Sequence, residues 1–228
     1  MTDVCTFEVL PWDSEFFGFR VGRLYAESLT PEVAAEAKQW CQDNDISCLY
    51  FLGTAESMDK PGGFYFVDER VTCRWDARPV EKTSPSVRPF EPADLAALQD
   101  IARSSHRDTR FYRDPEFDRG RCDELYATWI TRSCQGGADT VLVATDRGQP
   151  AGYLTCCGNS IGLVAIAESA RGRGLGTQLV TAAQRYFYDS GAVCADVVTQ
   201  GRNQAARALY LRCGFRLVNS EHWYHLHV

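Results

Sequence analysis

The feature that most constrains this chain is a glycine-rich loop that stands between short strands and an amphipathic helix. The loop reads Arg171-Gly172-Arg173-Gly174-Leu175-Gly176. Two short connections before it, Asp146–Gln149 and Gly158–Ser160, consist of turn-forming residues, which predicts an antiparallel meander. The predicted strands of this meander cover residues 140–144, 151–157 and 161–167.

Helical periodicity follows the loop. Leu175 and Leu179 recur on one face of a predicted helix, together with small and aromatic residues one and two turns further on. A strand over residues 193–199 and a helix over residues 203–213 come next, and residues 215–228 supply one or two last strands. The order of strands, loop, helix, strand and helix predicts one α/β unit built around a sheet.

A glycine-rich loop that opens a helix is typical of a phosphate cradle. Glycine lets successive backbone N–H groups converge on an anion, and the N-terminus of the helix adds partial positive charge. The spacing excludes the phosphate loop of nucleoside triphosphatases and disfavours the G-x-G-x-x-G dinucleotide motif. The alternative interpretation is a plain connector that carries two surface arginines.

The first third of the chain predicts a smaller α/β unit. Strands are expected over residues 21–25, 47–52 and 69–75, and a helix is expected over Pro31–Cys41 behind a Thr30 cap. Prolines and polar residues then indicate a linker. We therefore divide the chain into an N-terminal domain (1–80), a linker (81–86) and a C-terminal domain (87–228) that contains the glycine-rich loop.

Composition excludes several classes of protein. The net charge is −6, which disfavours a dedicated nucleic-acid binder. No run of about 18 apolar residues predicts a membrane span, and the N-terminus lacks the pattern of a secretory signal. The ten cysteines show no C-x-x-C spacing, so we expect free thiols and a cytoplasmic protein. The four histidines suggest no ligand set, and we expect no metal.

The C-terminal motifs together resemble the GNAT superfamily of acyl-CoA-dependent N-acyltransferases. The resemblance rests on the strand 161–167, the loop Arg171-x-x-Gly174-x-Gly176, and the later Asn203-x-x-Ala206-x-x-Leu209-Tyr210-x-x-x-Gly214-Phe215. It implies an α/β (α+β) fold whose mixed, mostly antiparallel central sheet is splayed and flanked by helices. It also implies acetyl-CoA as cosubstrate and transfer of acetyl to a primary amine in a ternary complex.

The resemblance also implies roles for individual residues. The loop amides would hold the pyrophosphate of coenzyme A, and a bulged strand at Val164–Ile166 would point a backbone N–H at the thioester carbonyl. Asn203 would contact the pantetheine arm, and Tyr210 would protonate the leaving thiolate, although its spacing fits a core aromatic equally well. The implied catalytic residues are Tyr210 and Asn203, and the implied acetyl-CoA contacts are Val164, Ala165, Ile166, Arg171, Gly172, Arg173, Gly174, Leu175, Gly176, Thr177, Asn203, Ala206 and Tyr210. One departure from the family pattern is Glu168, where proline is frequent.

A narrower resemblance extends over almost the whole chain. The string Trp12–Gly18, the segments Arg110–Pro115 and Leu125–Trp129, and the tail from Val198 to His225 are similar to the TDP-fucosamine acetyltransferase group. That similarity implies a small-molecule amine acceptor, namely the amino group of a nucleotide-linked amino-deoxysugar. Relatives with this layout could acylate other amines.

The sequence says less about the site that would bind the amine than about the site for acetyl-CoA. Arg107, Arg110 and Arg113 lie in a predicted loop that could hold a diphosphate, or that could simply be a solvated basic loop. Glu168, Asp196 and His106 are candidate general bases, and a water chain is an alternative. Two other functions stay open: an acetyltransferase for a protein N-terminus or another small amine, and a non-catalytic acetyl-CoA-binding module. A homodimer is also left open.

Overall fold

The computed structural model describes residues 5–54, 61–80 and 84–228. Within these residues, ten strands form one sheet in the order β1-β2-β3-β10-β4-β9-β8-β7-β6-β5. The strands are β1 (Thr6–Val9), β2 (Val21–Tyr25), β3 (Cys48–Gly53), β4 (Tyr65–Asp76), β5 (Val87–Pro89), β6 (Thr140–Asp146), β7 (Gln149–Cys157), β8 (Ser160–Ile166), β9 (Cys194–Gln200) and β10 (Arg216–His227).

The helices cover both faces of the sheet. They are α1 (Pro11–Phe17), α2 (Pro31–Asp43), α3 (Leu95–Ser105), α4 (Arg110–Arg113), α5 (Arg119–Arg132), α6 (Leu175–Asp189) and α7 (Gln204–Arg212). Short 3₁₀ turns precede α3 at Pro92–Asp94 and follow β8 at Glu168–Ala170. None of the helices in the described parts of the chain is long and apolar enough to cross a bilayer.

Only two neighbouring pairs of strands in the described sheet are parallel, β2 with β3 and β8 with β9. The other pairs are antiparallel, and the three strands β6, β7 and β8 form the predicted meander. The sheet is therefore mixed and mostly antiparallel, which confirms what the resemblance to the GNAT superfamily implied.

Local sequence signals account for the ends of several helices. The Thr30 hydroxyl accepts a hydrogen bond from the backbone N–H of Val33 at 3.2 Å, with Pro31 in the first helical position, so the predicted cap of α2 is confirmed. Asn203 caps α7 in the same way through Ala206 N–H at 3.0 Å. Gly214 follows α7 with a φ of +82°, a value that favours glycine.

The two faces of the sheet have separate cores. One cluster places α6 and α7 against β4, β7 and β9, through residues such as Leu179, Leu154 and Val197. On the other face, α3 and α5 pack against Tyr153 and Ala165 through Leu98 and Leu125. Because Tyr153 and Leu154 are successive strand residues, they point to opposite faces. Residues of both cores also line a shared cleft, for example Tyr210 from the first and Tyr126 from the second.

The predicted N-terminal unit shares the sheet with the rest of the chain. Strand β4 lies between β10 and β9, and its Val71, Cys73 and Trp75 belong to the core under α6. Part of the linker, residues 81–83, lies outside the described residues. The division into domains at 81–86 stays a prediction.

Candidate active site

The strands β8 and β9 separate soon after they pair. Their ladder consists of Ser160 opposite Asp196 and Ile161 opposite Val197. Beyond that point a cleft of about 840 Å³ opens between them, a size usual for a small-molecule site. Twelve of the thirteen acetyl-CoA contacts implied by the sequence line it: Val164, Ala165, Ile166, Arg171, Gly172, Gly174, Leu175, Gly176, Thr177, Asn203, Ala206 and Tyr210.

The wall from β8 contains a bulge, but not where the sequence placed it. Leu154 of β7 pairs with Val164, whereas Cys156 pairs with Ile161, so the extra residue of β8 lies at Gly162–Leu163. The Thr155 hydroxyl stabilises this bulge, because it accepts a hydrogen bond from Leu163 N–H at 2.8 Å. The expected bulge at Val164–Ile166 is therefore corrected to the two preceding residues.

Backbone groups after the bulge face the cleft. Leu163 N–H points to β7, and Ala167 N–H also points there, since it donates to Ala151 O at 2.8 Å. Successive residues of a strand turn their backbone groups to alternate sides. Val164 and Ile166 consequently turn theirs away from β7 and toward the cleft. The carbonyl oxygen of Ile166 is consistent with this orientation, because it accepts a hydrogen bond at 3.3 Å from Arg171 Nε, a group that does not belong to β7.

The glycine loop has the conformation of an anion cradle. Gly172 and Gly174 have φ of +75° and +79°, and no atom outside the loop lies within 4 Å of a Cβ built on Gly172. Gly174 is the N-cap of α6, so the unpaired N–H groups of the first turn face the cleft entrance. A Cβ on Gly176 would lie 3.2 Å from the Leu209 side chain, which shows how closely α6 and α7 approach each other.

Arg173 is the implied contact that the structure does not bring to the cleft. Its guanidinium forms an ion pair with Asp146 and donates to Ser169 O at 3.1 Å. Asp146 is the last residue of β6. The Arg173 side chain is therefore engaged within the protein, and a contact of its backbone N–H with acetyl-CoA stays a prediction.

Tyr210 and Asn203 line the cleft from α7. The Asn203 side chain is partly engaged, because its Oδ1 caps the helix. Tyr210 is only 4% exposed and packs on Phe215, with ring centroids 5.8 Å apart. Burial raises the pKa of its hydroxyl well above the ordinary value, so the group is protonated at neutral pH. Tyr210 is thus a core aromatic that also reaches the cleft, and its catalytic role stays a prediction.

The other end of the cleft is lined by side chains from the α3–α4 connection and from α5. These are Ser105, His106, Asp108, Tyr126 and Trp129. His106 stacks on Tyr126 with ring centroids 4.4 Å apart, and its Nε2 lies 2.8 Å from the Tyr153 hydroxyl. Burial lowers the pKa of His106 to about 4. Sequence reasoning assigned no role to Asp108, Tyr126 or Trp129, because nothing local in α5 indicates that it reaches β8.

The three candidate bases have different surroundings. Both Asp196 carboxylate oxygens are held by Arg74 at 2.7 Å, and this ion pair lowers the pKa of Asp196. Glu168 is exposed and does not line the cleft. His106 alone of the three lies on the cleft wall.

The arginines near residue 110 do not form one basic loop. Residues Arg110–Arg113 form the short helix α4, and the Arg110 guanidinium turns inward to His225 Nε2 at 2.9 Å. Its Cζ lies 4.1 Å from the Tyr50 ring centroid and 4.4 Å from that of Trp223. Arg113 instead lies 3.5 Å from Asp108. Arg110 and Arg113 thus lie in a short helix and have different partners, which corrects the expectation that they share one loop.

Two histidines meet in a buried polar cluster that the sequence did not predict. Ligand-type atoms of Cys48, Asp114, His225 and His227 lie within 4.8 Å of one another. Hydrogen bonds already join them, because Asp114 Oδ2 accepts from His225 Nδ1 at 2.5 Å and from His227 Nε2 at 2.8 Å. A metal ion bound to Nδ1 of His225 would require the ring proton to lie on Nε2. That N–H would then face the N–H donors of Arg110, with no acceptor between them. The arrangement therefore fits a hydrogen-bonded junction and not a metal centre.

Comparisons with known proteins agree with this geometry. Residues 137–217 match the family described as an acetyltransferase (GNAT) domain. A GCN5-related N-acetyltransferase from Sphaerobacter thermophilus is similar in structure, with a TM-score of 0.66 at 17% identity over 98% of this chain and 76% of that one. The fold is that of the GNAT superfamily. A functionally unknown conserved protein from Staphylococcus epidermidis has the same fold, with a TM-score of 0.64 at 14% identity over 96% and 88% of the two chains.

One curated relative has a named process. The spore coat polysaccharide biosynthesis protein SpsD of Bacillus subtilis (strain 168) is 25% identical over 181 residues. The match covers 77% of this chain and 63% of SpsD, so this chain spans less than two thirds of that relative's length. The family match is thus confined to residues 137–217, whereas the similarity in fold extends over almost the whole chain.

Proposed function

We propose that this GNAT protein transfers the acetyl group of acetyl-CoA to a primary amine, and that the amine belongs to a nucleotide-linked amino-deoxysugar. The observation that carries the proposal is the cleft, which joins the Arg171–Thr177 loop, the segment Val164–Ile166 and Tyr210. Direct attack in a ternary complex fits this arrangement, because donor and acceptor can reach the same point of β8 from the two ends of the cleft.

The loop and the first turn of α6 fit the diphosphate of coenzyme A. Gly172 and Gly174 allow the backbone to approach the anion, and the helix N-terminus supplies favourable partial charge. Arg171 lines the same end of the cleft. The pantetheine arm would then pass between β8 and β9, beside Asn203 and Ala206.

The chemistry follows from the groups at the centre of the cleft. As the amine attacks, negative charge develops on the thioester carbonyl oxygen, and the cleft-facing backbone N–H groups of Val164 and Ile166 can stabilise it. The departing sulfur needs a proton. Tyr210 holds one at neutral pH and lines the cleft from α7.

The acceptor assignment rests on the far end of the cleft and on one relative. Trp129 and Tyr126 offer aromatic surface, and the Asp108 carboxylate can attract a protonated amine. The name of SpsD associates that relative with polysaccharide synthesis, which favours a sugar acceptor for this chain. The alternatives, a protein N-terminus, another small amine or no acceptor, are outcomes of the same assay.

The first experiment measures binding. Acetyl-CoA at about 100 times its Kd should stabilise the folded protein by about 2.7 kcal/mol, or roughly 5–10 °C in Tm. Gly174→Leu should abolish this shift, because the side chain would occupy the phosphate position. Gly191→Leu is a matched control, since Gly191 is also exposed, has a φ of +78° and lies at the opposite end of α6.

The second experiment measures transfer. Release of free coenzyme A thiol is followed with TDP-4-amino-4,6-dideoxygalactose, with glucosamine and with a peptide that has a free N-terminus. Fast turnover of the sugar nucleotide supports the proposal, whereas preference for the peptide supports the N-terminal alternative. A Tm shift without turnover of any amine indicates the non-catalytic module, and no Tm shift contradicts the whole proposal.

A further inference from the structure

We infer that His106 is the residue that accepts the proton of the attacking amine. The inference rests on the proposed function, because it assigns the proton acceptor for that reaction. It adds a second proton-transfer group to Tyr210, one that comes from the connection between α3 and α4 and not from the GNAT motifs of the C-terminal half.

The position of His106 carries the inference. Its Nε2 lies 2.8 Å from the hydroxyl of Tyr153, and Tyr153 pairs with Ala165 in the centre of the Val164–Ile166 segment. The neighbouring Ser105 Oγ lies 3.5 Å from the carbonyl oxygen of Ile166. His106 therefore lies beside the backbone that would hold the thioester carbonyl.

His106 and Tyr210 approach this backbone from opposite faces of the sheet. Tyr210 belongs to the core that contains Leu154, whereas His106 contacts Tyr153, and successive strand residues point to opposite faces. Both side chains line the one cleft that passes between β8 and β9. An amine that enters on the His106 face would attack the carbonyl while the sulfur departs on the Tyr210 face.

Other titratable groups on the described cleft wall are less suited to accept a proton. The Asp108 carboxylate is already engaged in two ion pairs, because it lies 3.6 Å from Arg202 and 3.5 Å from Arg113. Burial raises the pKa of Tyr126 to about 12, so that hydroxyl stays protonated. Arg171 and Arg212 are permanent cations.

His106 is in the protonation state that the role needs. Tyr126 of α5 and Tyr153 of β7 face the ring, and burial alone lowers its pKa, so the imidazole is neutral at physiological pH. In the tautomer that fits the role, Nε2–H donates to the Tyr153 oxygen and Nδ1 accepts. The C–N bond forms, the proton leaves nitrogen for Nδ1, the C–S bond breaks and sulfur takes the Tyr210 proton. Solvent then returns the proton from His106 to Tyr210, so the reaction balances.

Chemical rescue tests the assignment. His106→Ala should lower kcat by about 10²–10⁴ while the acetyl-CoA shift in Tm persists, because the loop is untouched. Added imidazole should restore turnover in a saturable way, and the restored rate should rise with pH as imidazole loses its proton. His222→Ala, on β10 and outside the cleft, is the matched histidine control and should change little.

A second variant tests the same role in case His106→Ala does not fold. His106→Asn keeps a polar group for Tyr153 and should show the same fall in kcat, with an unchanged KM for acetyl-CoA. If the wild type acetylates an amine and both variants match its rate, or if imidazole does not restore folded His106→Ala, the assignment of His106 is wrong. If the wild type acetylates no amine, the proposed function fails, and the role of His106 fails with it.

Discussion

Replacement of Asp114 by asparagine should destabilise this protein strongly, although the two side chains have nearly the same shape. Asp114 is fully buried and accepts four hydrogen bonds. Its Oδ1 accepts from the Tyr65 hydroxyl at 2.7 Å and from Glu116 N–H at 3.0 Å, and its Oδ2 accepts from the rings of His225 and His227. These bonds hold the pKa of Asp114 far below its usual value.

Asparagine cannot satisfy these donors. Its amide nitrogen would face the N–H of His225, and that ring cannot change tautomer without turning an N–H toward Arg110. The Arg110 guanidinium would also lose the negative charge that reaches it through His225. Loss of one partner of a buried charged network typically costs about 3–5 kcal/mol, a large part of the total stability of a domain.

The measurement is equilibrium unfolding in urea at pH 7, together with Tm. The expected loss corresponds to roughly 6–20 °C for a chain of this size. Asp196→Asn is the matched control, because that carboxylate is partly exposed and pairs with one arginine, a type of interaction worth about 0–1 kcal/mol. A free energy of unfolding for Asp114→Asn within 1 kcal/mol of the control would refute the reasoning about the buried junction.

Four other predictions follow from the structure. Burial lowers the pKa of His106 and of His225 to about 4, so these rings are neutral in the folded protein near pH 6, whereas in the unfolded chain they take up protons as the pH falls below about 6.5. The free energy of unfolding should therefore fall by about 1.2 kcal/mol for each histidine between pH 6 and pH 5. A flat profile of urea midpoints over that range would contradict the buried neutral rings. Tyr210→Phe should lower kcat and kcat/KM alike by about 10²–10⁴ and leave acetyl-CoA binding intact, and wild-type turnover would make Tyr210 a core aromatic only. Gly152→Ala should cost about 1–3 kcal/mol, because its Cβ would lie 2.7 Å from Ala165 O, and unchanged stability would show that β8 can move aside. Thiol titration of the unfolded, unreduced chain should return ten thiols, and a lower count would indicate disulfides.

Local sequence patterns predicted most elements near the cleft. The turn residues between β6, β7 and β8 specify a meander because short connections allow only antiparallel neighbours. The Thr30 cap and the loop glycines act within a few residues, so their conformations can be expected before any tertiary contact is known. The end of the cleft beside the glycine loop was predictable for the same reason, since the loop, helix α6 and helix α7 are close to one another along the chain.

The opposite end of the cleft, lined by His106, was not predictable in this way. His106 meets Tyr153 across 47 residues, and Arg110 meets His225 across 115 residues. Helical or strand periodicity says which face of an element is buried, but it does not say which distant element covers that face.

By itself, the sequence determined the Thr30 cap, the phosphate-type loop and most of the strands, but not β1 and β5. Tertiary structure decided the insertion of β4 between β10 and β9, the inward turn of Arg110, the burial of Asp114 and the approach of His106 to β8. The physical reason is the range of the interactions. Turns, caps and glycine conformations depend on neighbouring residues, whereas buried charges and long-range contacts acquire their environment only when remote parts of the chain pack together.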